Sequence, residues 1–335
     1  MPMWDYPKKV RINEVGPREG VQFEKNFLPT EKKIELVDAL SDTGLPCIEV
    51  TSFVSPKWVP QMADADEVSR GFKKVPGVQY TALFLNLKGL ERAAAVGRYE
   101  LEGLVRVIAS DTFSQKNTNK TIQETLASLG EWIKKYEELG IPVIGGDIPA
   151  AFGCNYEGDV PPDKVVALAG ELEKLLKAHG HTMKHLTLAD TMGWANPQHI
   201  QRLVGKVKEK WPDLHIRLHL HDTRGPGLAN VLAALQMGVA DFDASVGALG
   251  GCPFGGHKAA AGNVCTEDVV FMCQEMGIET GVDLDKLIEC ANLAESIFGH
   301  ELHGKAMKAG SLTKFRKAGS AALSALAGEG CERRQ

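Results

Sequence analysis

The sequence predicts a (β/α)₈ TIM barrel with extra C-terminal helices. Short apolar strands alternate with helical stretches along the chain, eight strands can be counted, and each is followed by a helical pattern. This alternation is typical of barrels whose parallel strands form the inner wall and whose helices form the outer layer. An open doubly wound sheet is the second candidate. The Gly-rich fingerprint expected for it is missing after the first strand, where the chain reads NEVGPREGVQ.

The elements follow one another in a regular order. We predict strands at KVRINEVG, CIEVTSF, VQYTALFL, LEGLVRVIAS, IPVIGGDI, HLTLAD, HIRLHLHD and ADFDASV. A helix such as PPDKVVALAGELEKLLKAHG begins on proline and ends on glycine, the expected asymmetry. After the eighth unit, DLDKLIECANLAESIFG predicts a further helix. We therefore predict one barrel domain over residues 1–310 and a small-residue-rich tail over residues 311–335.

Composition limits the classes of partner. The chain has 335 residues, of which 44% are hydrophobic, which is enough for a large core. Its formal net charge is -5, so nothing favours a polyanion as partner. There is no long Lys/Arg block, which argues against nucleic acid as a partner. There is also no run of 18 apolar residues, so we expect no membrane span.

The cysteines and the N-terminus predict a cytoplasmic protein. MPMWDYPKKV lacks the apolar segment of a signal peptide and the Arg/Ser-rich character of a transit peptide. Seven cysteines are spread widely, and none form a C-x-x-C pair. Free thiols in a reducing compartment fit this usage better than a disulfide framework does.

The stretch LHLHDTRG points to chemistry. In a strand, alternate residues share a face, so His219 and His221 point to one side while the leucines between them point to the other. One interpretation is a polar face bonded to water. The other is a pair of metal ligands, because neutral imidazole is the commonest metal-binding side chain.

Further polar residues stand where the predicted strands end. Barrel enzymes hold their active sites at this C-terminal end. The residues are Arg18 and Glu19 after strand one, Glu49 on strand two, Ser110 and Asp111 after strand four, Asp147 on strand five, Asp190 after strand six, His219, His221 and Asp222 on strand seven, and Cys252, His257, Asn263 and Glu267 after strand eight. Their number predicts one polar mouth.

The expected ligand types suggest the metal. Two imidazole nitrogens with carboxylate and amide oxygens, completed by water, suit Mg²⁺ or Mn²⁺ in octahedral geometry. Zinc also tolerates two histidines and a carboxylate, but fits this set less well.

The chain resembles the 3-hydroxy-3-methylglutaryl-CoA lyases of the DRE-TIM metallolyase superfamily. The resemblance rests on VGPREGVQFEKN, IEVTSFVSPKWVPQMAD, FGCNYEG, HLHDTRGPGLAN, ALQMGV and GALGGCP, in this order, from about residue 10 to residue 300. It implies a barrel, a divalent cation and carbon–carbon cleavage of a 3-hydroxyacyl-CoA. The substrate it implies is 3-hydroxy-3-methylglutaryl-CoA, with acetoacetate and acetyl-CoA as products. We further expect a homodimer or a higher homo-oligomer.

The resemblance also assigns roles. The metal ligands it implies are Glu19, His219, His221 and Asn263. The catalytic residues it implies are Arg18, which polarises substrate oxygens, the loop cysteine Cys252, and Glu49, Asp190, His219 and Glu267. The segment FSQKNTN resembles a family stretch beside the bound CoA, which implies contacts from Ser114, Lys116 and Asn117.

Several positions depart from the family pattern. Glu19 stands where the family has an aspartate ligand, and Asn155 and Asp111 replace the usual residues in their motifs. The loop CPFGGHKAAAGN is about two residues longer than the family pattern and carries His257. These changes surround the predicted acyl pocket, so they bear on the acyl group of the substrate more than on the type of reaction.

Other functions remain open at this point. A related lyase could cleave a citramalyl- or methylmalyl-type CoA ester, and a superfamily aldolase would not need contacts to CoA. A condensing enzyme such as an isopropylmalate synthase would share the metal site but usually carries a further region. A CoA-binding scaffold without catalysis is the alternative from another class, and the Glu19 departure is the feature that favours it.

Cys252 should matter more to chemistry than to folding. A thiol with a pKa near ~8.5 on a glycine-rich loop can carry a proton to or from a substrate. Cys252→Ala should therefore keep a near-normal Tm but lose about 10²-fold or more of kcat, as for the loss of a general acid or base. An unchanged kcat would assign Cys252 to packing.

Overall fold

The computed structural model describes residues 5–251, 260–313 and 315–316. Its main sheet contains eight strands: β1 (Arg11–Glu14), β2 (Cys47–Ser52), β3 (Gln79–Leu83), β4 (Gly103–Arg106), β5 (Val143–Ile148), β6 (His185–Ala189), β7 (His215–His219) and β8 (Asp241–Ala244). Each lies within a segment from which a strand was predicted.

The strands pair in the order β3-β2-β1-β8-β7-β6-β5-β4, and every pair is parallel. This is the circular order of a (β/α)₈ barrel, with β3 and β4 at the two ends of the ladder. These ends lie side by side, since the N–H of Glu100, just before β4, donates to the carbonyl of Tyr80 in β3 at 2.9 Å. The predicted fold class is confirmed.

Helices cover the outside of the barrel. Within the described residues they are α1 (Gly16–Phe23), α2 (Thr30–Ser41), α3 (Ala65–Gly71), α4 (Leu87–Val96), α5 (Asp111–Thr118), α6 (Ile122–Glu138), α7 (Pro162–Ala178), α8 (Pro197–Lys210), α9 (Gly227–Gln236), α10 (Thr266–Glu275), α11 (Leu284–Phe298) and α12 (Ala306–Ala309). A short hairpin pairs Gly153–Cys154 with Gly158–Asp159. The predicted extra helices after the eighth unit are α11 and α12.

The two faces of each strand have opposite character. On β7, Ile216 and Leu218 belong to the main hydrophobic cluster between sheet and helices. Arg217 and His219 lie on the other face, toward the barrel interior. The alternation in the sequence predicts this division, because successive strand residues point to opposite faces.

The barrel interior is unusually polar. Arg217 Nε lies 3.2 Å from Asp241 Oδ1 and 3.8 Å from Asp243 Oδ1. His215 Nε2 lies 2.7 Å from Asp241 Oδ2. Barrel interiors are more often filled by branched apolar side chains. Here the inner wall is instead held by paired charges, the condition under which buried charge is tolerated.

Some strands end earlier than predicted. β1 ends at Glu14, and the chain turns at Val15 into α1, so Arg18 and Glu19 lie on a helix and not on the strand end. A proline in the first turn of α1 favours this turn, because its missing N–H is not needed there. β4 likewise ends at Arg106, before the predicted Ser110 and Asp111.

Glu14 joins three parts of the fold. Its carboxylate is fully buried and accepts hydrogen bonds from the Gly16 N–H at 2.7 Å, the Val246 N–H at 2.9 Å and the Thr266 hydroxyl at 2.6 Å. These contacts tie β1 to the segment after β8 and to α10. Burial raises the pKa of Glu14 from 4.5 to about 7.

Glu14→Gln should change the pH dependence of stability. The folded protein binds the Glu14 proton more tightly than the unfolded chain does, so the stabilisation is complete below pH 4.5 and declines as the pH rises through 7. Between pH 5 and 8 the free energy of unfolding should fall less in the variant than in the wild type, by up to about 3 kcal/mol. Urea unfolding at both pH values measures this, with the exposed Glu131→Gln as control. Parallel pH profiles for wild type and variant would contradict the expectation.

Candidate active site and metal centre

Helix α1 places a carboxylate over the C-terminal mouth of the barrel, the end at which the strands finish. Glu19 is buried, with only 6% of its surface exposed. Its Oε1 lies 3.3 Å from His221 Nε2, and its Oε2 lies 3.7 Å from His219 Nε2. One side chain of α1 therefore contacts the end of β7.

The two histidines converge as the strand alternation predicts. Their Nε2 atoms lie 3.2 Å apart. His219 is the last residue of β7, and His221 follows in a bridge to Asn263. This short bridge continues the strand pattern and keeps both imidazoles on the inner side.

Asn263 completes the group. Its Nδ2 donates to the Leu249 carbonyl at 3.2 Å, while its Oδ1 is buried and accepts no hydrogen bond from the described residues. A Cβ at Gly250 would lie 2.7 Å from Asn263 Nδ2 and 2.8 Å from Glu19 Cγ, and Gly250 has a φ of +93°. Only glycine therefore fits where Asn263 and Glu19 approach each other.

These residues fit a divalent cation. The candidate ligand atoms of Glu19, His219 and His221 all lie within 4.8 Å of one another. The free Oδ1 of Asn263 adds a neutral oxygen that has no other use in the described structure. Two nitrogens and two oxygens suit Mg²⁺ or Mn²⁺ with water in the other positions.

Arg18 balances the acidic side of this group. Its Nη2 lies 3.1 Å from Glu19 Oε2, and its Nε donates to Glu49 Oε2 at 2.5 Å. Burial alone would raise the pKa of Glu19, but the charges of Arg18 and His219 hold it well below the usual range. Glu19 is therefore ionised and able to act as a ligand.

Asp243 is a site residue that the sequence reasoning missed. Its Oδ2 lies 3.2 Å from His219 Nδ1. Burial lowers the pKa of His219, but the charge of Glu19 and the hydrogen bond to Asp243 outweigh it and raise this pKa to about 9. A carboxylate behind a histidine fixes the orientation of the ring, and a metal ion that binds at Nε2 would displace the proton from that nitrogen. The alternation in ADFDASV could have placed Asp243 on the inner face.

Asp190 follows β6 and is fully buried. Its Oδ1 accepts hydrogen bonds from the N–H groups of Trp194 at 2.7 Å and Ala195 at 3.0 Å, while its Oδ2 is buried without a partner among the described residues. Burial raises the pKa of Asp190, and the nearby charge of His221 opposes this rise. Asp190 thus has one free oxygen, and its backbone N–H donates to the His219 carbonyl at 2.8 Å.

Glu267 has a different setting. Its two carboxylate oxygens lie 3.2 Å and 3.1 Å from the Gly247 nitrogen, whose N–H they accept. Burial raises the pKa of Glu267 to about 7. No hydrogen bond joins it to Glu19, His219 or His221 in the described part of the chain. Its contacts hold the segment after β8, and its catalytic role stays a prediction.

The predicted CoA segment forms α5. Lys116 and Asn117 are exposed, and Lys116 Nζ lies 5.1 Å from the centre of the Tyr156 ring. Ser114 is fully buried, with its hydroxyl enclosed. Ser114 is thus enclosed, whereas Lys116 and Asn117 stand at the surface. The CoA contacts of these three residues stay a prediction. Cys252 and His257 lie outside the described residues.

A second histidine group lies at the opposite end of the barrel. His185, His215 and Asp241 stand where β6, β7 and β8 begin, with candidate ligand atoms within 4.8 Å of one another. Asp241 there also accepts hydrogen bonds from Arg217 and Asn13. The guanidinium charge already balances this carboxylate, so we interpret the group as a hydrogen-bonded floor of the barrel.

Fold and site together define a (β/α)₈-barrel protein with a candidate metal centre at its C-terminal mouth. A family model described as HMGL-like matches residues 9–294. The chain belongs to this family.

Similar proteins cover nearly the whole chain. The mitochondrial hydroxymethylglutaryl-CoA lyase of Bos taurus is 46% identical over 284 residues, which are 85% of this chain and 84% of the bovine protein. The crystal structure of the HMG-CoA lyase of Bacillus subtilis is 40% identical, with a TM-score of 0.83, and covers 91% of this chain and 98% of that chain. An HMG-CoA lyase of Acinetobacter baumannii, in complex with coenzyme A and 3-methylmalate, is 38% identical, with a TM-score of 0.82, and covers 93% and 98%.

His221→Ala should remove a ligand of the proposed metal. We expect Mn²⁺ binding to weaken by at least about 10²-fold, since residues that merely support ligands contribute 10- to 100-fold, and turnover to be lost. Calorimetric titration with Mn²⁺ measures this. His181→Ala is the matched control, because His181 pairs with Glu137 on the surface at 2.8 Å. Unaltered Mn²⁺ affinity in His221→Ala would refute the proposed centre.

Proposed function

We propose that this protein is a metal-dependent carbon–carbon lyase that cleaves 3-hydroxy-3-methylglutaryl-CoA to acetoacetate and acetyl-CoA. The observation that carries the proposal is the convergence of Glu19, His219, His221 and Asn263 beside Arg18. It is supported by HMG-CoA lyases that are about as long as this chain and 38–46% identical to it.

The proposed reaction breaks the bond between C2 and C3 of the acyl group. The C3 hydroxyl loses its proton and its oxygen becomes the ketone of acetoacetate. The electron pair of the broken bond passes to the thioester enolate, which takes up a proton to give acetyl-CoA. The site must therefore accept one proton, stabilise negative charge on oxygen and supply one proton.

Arg18 is suited to the charge. Two of its nitrogens are used by Glu49 and Glu19, and its Nη1 has no acceptor among the described residues. This nitrogen can donate to a substrate oxygen on which charge develops. A divalent cation held by Glu19, His219, His221 and Asn263 would, when bound, supply further positive charge and lower the pKa of the alcohol.

The proton acceptor is assigned to Asp190. Both nitrogens of His219 have partners, with Nδ1 toward Asp243 and Nε2 toward Glu19 and His221. His219 is therefore better placed as a ligand than as a base. The free Oδ2 of Asp190 is available, and burial makes this carboxylate more basic than usual. Cys252 is proposed to protonate the enolate.

The departures from the family pattern favour a second candidate for the acyl group of the substrate. Glu19 reaches both histidines from α1, so the longer side chain is compatible with the metal centre. Together with the longer loop after Cys252, it favours a related short or branched hydroxyacyl-CoA diacid as the second candidate. The similar Acinetobacter baumannii structure is a complex with coenzyme A and 3-methylmalate, a hydroxy dicarboxylic acid, and this supports the second candidate.

The setting of the enzyme is proposed from the sequence. No helix within the described ranges is long and apolar enough to cross a membrane. We propose a cytoplasmic location and a homo-oligomer of two or more copies.

Acetyl-CoA release tests the proposal. Wild type with Mg²⁺ or Mn²⁺ is assayed on methylglutaryl, citramalyl, methylmalyl and longer-branched CoA esters, with Glu19→Asp as the paired variant. A shift in the position of a ligand by about 1 Å can change the rate 10²-fold, so we expect Glu19→Asp to alter the ratio of kcat/KM values among the esters. If methylglutaryl-CoA is the best substrate and the variant changes nothing, the departure at residue 19 has no role in specificity. If no ester is cleaved with either metal, the scaffold alternative is favoured.

A further inference from the structure

An ion pair on the inner wall is not explained by the metal centre. Arg106 Nε on β4 donates to Asp147 Oδ2 on β5 at 2.6 Å. The residues on either side of Arg106, Val105 and Val107, are fully buried in the hydrophobic cluster outside the sheet. Because strand residues alternate, Arg106 points to the barrel interior. A cation at this position faces the space where a substrate must lie.

The sheet register gives the height of the pair along the barrel axis. Asp147 is in register with Thr187 of β6, which is in register with Arg217 of β7. Arg217 precedes His219 by two residues on the same face. Without strand tilt, Asp147 would therefore lie below the candidate metal centre.

The tilt of the strands raises Asp147 toward the mouth of the barrel. A register line joins the hydrogen-bonded partner residues on successive strands. In an eight-stranded barrel with a shear of 8, this line rises along the barrel axis by about one residue per strand. In one direction, the register line through His219 crosses β8, β1 and β2 and reaches Gln79 on β3. Gln79 lies beside Glu102, just before β4. In the other direction the line passes Ala189 and meets the β4 segment at Ala109. The line thus starts near the beginning of the β4 segment and returns to it nearer the C-terminal end. Residues in register therefore lie progressively nearer the mouth from β7 through β6 to β5 and β4. Asp147 is on β5, two strands from β7, so the tilt raises it by about two residues. Asp147, with Arg106 beside it, therefore lies level with His219 in the mouth.

Arg106 is more accessible than Arg18 and Arg217. Its side chain is 39% exposed, against 13% for Arg18 and 19% for Arg217. Arg18 is engaged by two carboxylates, whereas only Nε of Arg106 is engaged. Within the described ranges no acceptor contacts its two terminal nitrogens, and Asp147 holds the guanidinium in place.

We propose that Arg106 binds a carboxylate at the non-reacting end of the acyl group, so that the site selects CoA esters of dicarboxylic acids. This inference rests on the proposed function, which supplies an acyl-CoA ligand. A guanidinium with two free, coplanar donors matches a carboxylate bidentately. The reacting end of the acyl group lies with Arg18 and the histidines, which are carried by α1 and β7. In the closed strand order, β4 lies three strands from β1 and three strands from β7. Arg106 therefore faces the reacting end from across the barrel and can bind the carboxylate at the far end of the acyl chain.

The test uses two ligands that differ only in the terminal carboxylate. Glutaryl-CoA and pentanoyl-CoA have equal chain lengths and no C3 hydroxyl, so neither is cleaved by the proposed reaction. Calorimetry with the Mg²⁺-saturated protein should give a lower Kd for glutaryl-CoA by about 10- to 100-fold, as expected for hydrogen bonds to a charged group. Arg106→Gln should abolish this preference and leave the Kd of pentanoyl-CoA within about twofold.

Arg92→Gln is the matched control. Arg92 also pairs with an aspartate, Asp66, and is 33% exposed, but it lies on α4 in the outer layer. It should keep the wild-type preference. If Arg106→Gln does not fold, Arg106→Lys replaces it, and the loss of the planar fork should reduce the preference at least threefold, by about the share of one charged hydrogen bond. An equal Kd for both ligands in the wild type, or an unchanged preference in the Arg106 variant that folds, would overturn the proposal.

Failure of the proposed function is separable from failure of this inference. Acetyl-CoA release from 3-hydroxy-3-methylglutaryl-CoA reports on the lyase alone, while the ratio of the two Kd values reports on Arg106 alone. An active lyase without a preference for glutaryl-CoA overturns only the carboxylate subsite. A preference that depends on Arg106 in a protein without lyase activity supports the subsite and overturns only the lyase.

Discussion

The buried carboxylate of Glu19 is the contact on which the site depends. It meets Arg18 at 3.1 Å, His221 at 3.3 Å and His219 at 3.7 Å, and almost none of it reaches water. A buried charge without partners costs several kcal/mol. The folded state therefore requires α1 and β7 to meet in one arrangement, and this arrangement is the one that also brings nitrogen and oxygen ligands together. The electrostatics that allow the fold at this point also prepare the metal centre.

The same constraint extends down the barrel. Behind His219 stands Asp243, and below it Arg217 lies between Asp243 and Asp241. Each charge on this wall has an opposite charge beside it, so the column from the mouth to the floor is a connected network. Replacing one member leaves its neighbour unpaired, a change that costs more than the pair contributes. The polar interior thus fixes the orientation of the histidine rings more firmly than an apolar filling would.

Local periodicity accounts for what could be predicted from the sequence. The eight strands and the shared face of His219 and His221 follow from alternation, a property of the strand itself. The placement of Arg18 and Glu19 on a helix depends on the turn at Val15, which no periodicity marks. Asp243 and Arg106 were missed because their importance comes from neighbours on adjacent strands. Such neighbours depend on register and tilt, which one strand does not encode.

The base of the loop that carries Cys252 explains how the acyl pocket can vary while the ligands stay in place. The Gly262 N–H donates to the Ala248 carbonyl at 3.1 Å, and the Asn263 N–H donates to the Leu249 carbonyl at 3.3 Å. A Cβ at Gly262 would lie 2.2 Å from the Gly250 carbonyl oxygen, so the two backbone segments touch where the loop leaves and returns. Asn263 is thus held by the base of the loop and not by its length. Loop closure entropy also changes little with a few added residues. The loop can therefore lengthen without moving Asn263. Changes in the loop and on the wall that carries Arg106 can then fit a different acyl group, while the ligands of the metal centre keep their positions.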